Sequence, residues 1–187
     1  EYLKKIDASG KYLQGLVNDI LDMNRLTRDE VVLRPEPYDA SEFEAYIEAV
    51  IRPLCDAKQQ EFFLEPNPCP KALMVDKIRY NQMFVNLLSN AVKYTPVGGR
   101  IALRFENMET TEKSFTADYI VEDNGIGISP EFQKHMFEPF TQEYDNPLRP
   151  KTQSGTGLGL STVKKIVDMM GGELEVAIIA APNEVGT

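Results

Sequence analysis

The sequence predicts an α+β fold, a two-layer sandwich with helices on one face of a mixed sheet and one long helix in front of it. Three observations predict it. Residues 1–27 carry apolar side chains at helical spacing. Beyond residue 40, helix-like and strand-like segments mix without strict strand–helix alternation. Two strand candidates near 100–107 and 115–122 are joined by the polar stretch "NMETTEK", as in a hairpin, which requires antiparallel pairing.

The elements follow in order. Leu3, Ile6, Leu13, Leu16, Val17, Ile20, Met23 and Leu26 form one stripe of the first helix. It could be a core-facing helix of the same domain, but nothing nearby in sequence looks like its partner, so bundle or dimer packing is the favoured expectation. Residues 28–40 contain two prolines and read as a linker, with a short strand at Val31–Leu33. Ser41 and Glu44 form a capping box for a second helix, whose apolar face is Phe43, Ile47, Val50, Ile51 and Leu54. Strands are expected at 61–65 and 72–75. Asp76 opens the strongest helix, which runs to Tyr94, and "TPVGG" stops it. After the hairpin come a short helix near 130–135 and a polar stretch at 138–157. Loops of that length are usually functional. A last helix runs from Gly157 to Met170, ended by two glycines, and "ELEVAII" is a final strand.

Composition excludes several classes. With 187 residues, 42% hydrophobic and 26% charged, the chain can bury a real core. No apolar run approaches the ~20 residues that cross a bilayer. A net charge of −9 argues against nucleic acid as a partner. Cys55 and Cys69 form no metal-binding pattern, and two thiols without a framework fit a reducing cytoplasm. His135 is the only histidine. "FQKHMFEPF" gives it no carboxylate partner in register, so it reads as an ordinary surface residue.

Four short stretches carry chemistry. In "NLLSNAVKYTP", Asn86 and Asn90 share one helix face. Two carboxamides on a buried helix need partners: a hard cation with phosphate oxygens, or backbone groups. The stretch alone does not separate these. In "DNGIGI", a buried Asp123 at a strand end can accept from an exocyclic amine, and Gly125 and Gly127 let the backbone pass a flat ring, although D-x-G also marks ordinary turns. "FEPF" at 137–140 reads in isolation as a hinge. In "SGTGLGLS", Gly155, Gly157 and Gly159 precede a helix whose free N–H groups could face phosphate. Neither a Rossmann fingerprint nor a P-loop is present.

In this order the four stretches resemble the N, G1, F and G2 boxes of the ATP-binding domain of two-component sensor histidine kinases, within the superfamily of gyrase, Hsp90 and MutL ATPases. "LVNDILDMNRL" is similar to the second helix of the dimerisation and phosphotransfer hairpin that precedes this domain. The resemblance implies a Bergerat-type fold over 31–187, with 1–30 from the hairpin. It implies that Asn90 would hold Mg²⁺ and Asn86 would assist, while Lys93 would reach the phosphates of ATP. Tyr94 would flank adenine or ribose. Asp123 would accept from the adenine amine, and Gly125, Gly127 and Ile128 would shape its pocket. Phe140 belongs to the hinge, and 138–157 would be a mobile lid. Ser154, Gly155, Thr156, Gly157, Leu158, Gly159 and Leu160 would bring the lid's end to the triphosphate. The implied partners are a response-regulator receiver domain and a second copy through the hairpin helices.

Three departures qualify the expectation. The family's acceptor histidine belongs to a helix before Glu1, so the chain is expected to bind ATP without phosphorylating itself. Gln142 stands where many members carry arginine, which leaves Arg149 or Lys151 for the γ-phosphate. The closing strand after a G-T pair is expected to be missing. A non-kinase clamp of the same superfamily is the alternative reading, and the preceding helix and the K-Y-T-P ending weigh against it.

Overall fold

The computed structural model describes residues 2–28, 30–66, 72–111, 114–143 and 155–177, with the side chains of the first helix from residue 13 onward. The elements are α1 (Tyr2–Thr27), β1 (Glu36–Tyr38), α2 (Ala40–Ala57), β2 (Glu61–Leu64), β3 (Leu73–Val75), α3 (Lys77–Tyr94), β4 (Arg100–Thr110), β5 (Phe115–Asp123), α4 (Pro130–Gln133) and α5 (Gly159–Met169).

The main sheet has the order β2-β4-β5, with β2 parallel and β5 antiparallel to β4. It is therefore mixed, as expected. Ile101, Leu103 and Phe105 alternate along β4 and belong to the core, the period-2 pattern of a strand, while Ala102 between them is buried as well. Phe62 of β2 lies in that core, whereas Phe63 is exposed. Helices α2 and α3 cover the inner face. Phe43, Ile47, Ile51 and Cys55 form the buried face of α2 at four-residue spacing. Phe84 of α3 is the hub, with ring centroids 4.9 Å from Phe43, 5.0 Å from Tyr80 and 5.3 Å from Tyr119. Edge-on aromatic contacts of this kind add to plain area burial.

Several expectations are corrected. Helix α2 starts one residue before Ser41, with Asp39 at its N-cap, so the Ser41–Glu44 box does not cap it. Tyr38 is buried, and the chain turns from β1 straight into the helix. Leu54 faces outward, because the four-residue repeat selects Cys55. The strand in the linker is Glu36–Tyr38, paired antiparallel with β3, and Val31–Leu33 is not a strand. Strand β4 continues through Asn107 and Met108 to Thr110, with a register shift between Glu106 and Glu109 and a left-handed Asn107 (φ 47°). An inserted residue is how a strand passes such a polar stretch without ending. Helix α4 ends at Gln133, about two residues short of the expected end, and α5 begins at Gly159 rather than Gly157. Residues Glu173–Ala177 form no strand, since no described strand pairs with them. Cys55 is free and buried, while Cys69 lies outside the described residues.

Helix α1 has partners after all. Leu26 is fully buried. Arg79 of α3 donates to both oxygens of Asp22, at 2.7 and 2.8 Å, and Gln82 donates to the same carboxylate at 2.7 Å. The Ser161 and Thr162 hydroxyls of α5 meet the Met23 sulfur at 4.0 and 3.8 Å. The helix thus docks by its C-terminal part, through Asp22, Met23 and Leu26. The apolar stripe is split: Leu26 is buried, while Leu13, Val17 and Ile20, with neighbouring Leu21, are exposed, Val17 by 54%.

Candidate functional site: a cleft beside α3

Helix α3 is set by both of its ends. At the start, Asp76 accepts from Arg79 N at 3.1 Å, a side-chain N-cap, and from Arg34 N at 3.0 Å. This fixes the rotation of the helix, with Leu88 and Val92 inward and the amide pair beside the cleft. Asn86 and Asn90 both face the start of α5. A Cβ added to Gly159 would lie 3.5 Å from Asn90 Nδ2 and 4.0 Å from Asn86 Cγ. One turn on, the Lys93 ammonium sits 4.9 Å from the centroid of the Tyr94 ring. A Cβ on Gly155 would fall 2.7 Å from that ammonium.

The Asp123–Ile128 loop is laced to the same end of α3. Ile126 N donates to Tyr94 O at 3.3 Å. Asp123 Oδ1 accepts from Gly125 N at 2.8 Å and from Thr95 Oγ1 at 3.4 Å. Gly125 approaches so closely that a Cβ there would lie 2.7 Å from Tyr94 O. Asp123 was expected to be buried. It is exposed, because its carboxylate stands at the rim of the open cleft.

Two hydrogen bonds bracket residues 144–154: Phe140 N donates to Gly157 O at 3.0 Å, and Gln142 Nε2 to Gly155 O at 2.5 Å. Gly157 takes φ 72°, and a Cβ there would lie 2.7 Å from Phe140 C, so glycine is required. Leu158, at the N-cap of α5, supplies no side-chain acceptor, which leaves the first N–H groups of that helix available. Helix α1 also reaches this segment. The Asp19 carboxyl is pushed up by burial, with a hydrogen bond from Thr156 opposing and the Asp22 charge adding.

Asn86, Asn90, Lys93 and Tyr94 line one cleft with Asp123, Gly125, Gly127 and Ile128, and with residues 155–160. Its volume is about 2130 Å³, beyond the roughly 300–1,000 Å³ of ordinary ligand pockets, because it runs on along β5. Phe140 does not line it. Its backbone is left-handed (φ 65°), the residue is 60% exposed, and its N–H is bonded to Gly157 O. Arg149, Lys151 and Ser154 lie outside the described residues. His135 does have a carboxylate partner: its Nδ1 lies 2.9 Å from Glu138 Oε1, one helical turn on. Thr95 and Asp19 are not among the residues the sequence singles out. Thr95 stood in a quoted stretch, and Asp19 gave no local signal.

A mixed sheet under helices, with paired amides, a lysine and a glycine-rich turn on one cleft, defines a nucleotide-binding ATPase domain. The chain belongs to the histidine kinase-, DNA gyrase B- and HSP90-like ATPase family, whose pattern matches residues 75–187. It is 35% identical over 170 residues to the autoinducer 2 sensor kinase/phosphatase LuxQ of Vibrio harveyi, a match spanning 90% of this chain and 19% of LuxQ. It is 34% identical over 177 residues to the sensor histidine kinase GacS of Pseudomonas protegens, spanning 94% of this chain and 19% of GacS. The fold is similar to that of full-length ShkA crystallised with AMPPNP, with a TM-score of 0.73 and 27% identity, covering 91% of this chain and 34% of ShkA. The chain thus spans about a fifth of the length of these curated relatives.

Proposed function

We propose that this chain is the ATP-binding domain of a two-component sensor histidine kinase. It would place the γ-phosphoryl of ATP for transfer to a histidine, from which a response-regulator receiver domain takes it. The observation that carries this reading is the convergence of Asn86, Asn90, Lys93, Asp123 and Gly155 on one cleft. The names of LuxQ and GacS describe sensor kinases, and ShkA was crystallised with AMPPNP.

The chemistry is positioning and charge neutralisation. Asp123 Oδ1 already accepts from Gly125 N, which leaves Oδ2 for the exocyclic amine of adenine. Tyr94 flanks the ring or the ribose. Lys93 offers a compact charge to the phosphates, and the open N-terminus of α5 offers N–H groups. In the transfer, the bond from the γ-phosphorus to the bridging oxygen breaks, a phosphorus–nitrogen bond forms, and ADP leaves. Among the described residues no His, Cys, Asp and Glu cluster could hold a metal. The amide oxygens of Asn86 and Asn90 are hard neutral donors that suit Mg²⁺ and would hold it. When bound, that ion neutralises phosphate charge. Residues 1–30 would belong to the dimerisation hairpin of a homodimer and 31–187 to the catalytic domain, on the cytoplasmic side. The acceptor histidine is not His135, which pairs with Glu138 and does not line the cleft.

Calorimetric titration with Mg-ADP should show saturable binding, and no heat at millimolar nucleotide would sink the reading. Asp123→Ala should remove adenine binding and leave the circular dichroism spectrum unchanged.

A further inference from the structure

Helix α3 ends without the left-handed glycine that closes many helices, since Thr95 takes φ −81° and ψ 134°. Its last carbonyls need donors from elsewhere. Ala91 O accepts from Thr95 N at 2.9 Å, and Tyr94 O accepts from Ile126 N at 3.3 Å. The others are taken by the turn between α2 and β2. Lys58 Nζ donates to Val92 O at 2.6 Å, Thr95 O at 2.7 Å and Lys93 O at 3.2 Å. Gln60 Nε2 shares Val92 O at 3.1 Å and Thr95 O at 2.8 Å. An ammonium has three N–H donors, and three carbonyls meet this one. Between the two side chains, Gln59 adopts φ 54°. A non-glycine residue persists there only where its surroundings impose it.

We propose that Lys58 is a positioning residue for nucleotide binding: its ammonium holds the last turn of α3, and through it both ends of the cleft. The proposal rests on the nucleotide reading above. That turn carries Lys93 and Tyr94 directly. Tyr94 O holds the Asp123–Ile128 loop through Ile126 N, and Thr95 Oγ1 reaches Asp123. Lys58 itself does not line the cleft, so it acts through these residues. The ammonium also sits at the negative end of the α3 dipole, where a cation is favoured. Without it, the half-buried carbonyls lose a charged donor. The turn then loosens, and the phosphate-side lysine and the adenine-side loop lose their common reference.

The test compares Lys58→Met, which keeps the stem and removes the donor, with Lys58→Arg, which keeps donors and charge. Mg-ADP affinity is measured by calorimetry at a temperature where each variant is shown to be folded, and exchange of the Ile126 amide is followed by NMR. The Met variant should bind about tenfold more weakly or worse, the loss of one charged hydrogen bond, with faster Ile126 exchange. The Arg variant should stay near wild type. Wild-type affinity in the folded Met variant overturns the proposal. So does an Arg variant as weak as Met, because the loss then reports packing and not donation. If Lys58→Met does not fold, Lys58→Gln is measured instead, and wild-type affinity there is equally fatal. If the wild-type chain binds no Mg-ADP, the functional reading fails by itself. Ile126 exchange then decides whether Lys58 holds the loop, and unchanged exchange refutes it.

Discussion

Gly125 shows how tightly single residues are constrained at this cleft. A methyl group there would lie 2.6 Å from Asp123 Oδ1 and 2.7 Å from Tyr94 O. One of these is backbone at the end of α3, so the strand end or the helix end must shift. Gly125→Ala is expected to destabilise the fold by about 1–3 kcal/mol, the usual range for overpacking. It should also weaken Mg-ADP binding at least severalfold. Thermal melting and calorimetry measure both, and an unchanged affinity would refute the close-approach argument. The glycine and the aspartate were legible in "DNGIGI", because a D-x-G pattern after a strand is a local signal. The exposure of Asp123 was not legible, since it depends on how far the cleft stays open above the loop.

At the scale of elements, α1 is bolted to α3 through Asp22, Arg79 and Gln82. Burial raises the Asp22 carboxyl, but hydrogen bonds from Arg79 and Gln82 and the charge of Arg79 outweigh it and hold the group below its ordinary value. A depressed carboxyl contributes its docking free energy above the ordinary carboxylate range, near pH ~4, and loses it as pH falls through the folded-state value. Asp19 works in the opposite sense. Burial first, and the Asp22 charge after it, hold its carboxyl above the ordinary value, so its protonation on acidification favours the docked state. In an Asp19→Asn background, acidification below about pH 4 should therefore release α1, read as faster amide exchange over residues 17–26. Asp22→Asn should loosen α1 already at neutral pH, by about 1–3 kcal/mol for a lost charged partner, and remove the acid step. An acid step that survives in Asp22→Asn would refute the assignment. None of this was legible beforehand, because the bolt joins residues 57 positions apart.

For the whole molecule, the outer face of α1 is the largest exposed apolar feature of that helix. Leu13, Val17, Ile20 and Leu21 remain exposed although α1 is docked, and four apolar side chains at helical spacing suit a second helix of the same kind. The dimer proposal predicts concentration-dependent self-association in sedimentation velocity and its loss in Val17→Glu. Sedimentation as a monomer at every concentration would remove the proposal for this chain. The residues alone determined most of the elements and the α+β class, since periodicity and turn residues act within a few positions of the chain; the roles of Lys93, Tyr94 and Ile128 came from the family resemblance. Long α3 was legible from end to end, and so was the antiparallel pairing of β4 and β5, though not the extension of β4 to Thr110. Only the tertiary structure decided which part of α1 meets the domain, that Asp39 and not Ser41 starts α2, and that Glu173–Ala177 forms no strand. It also decided that Lys58 and Gln60 close α3. Those outcomes turn on partners far away in sequence, because a buried carbonyl, a carboxylate or a strand edge is satisfied by whichever group the fold brings within hydrogen-bonding reach.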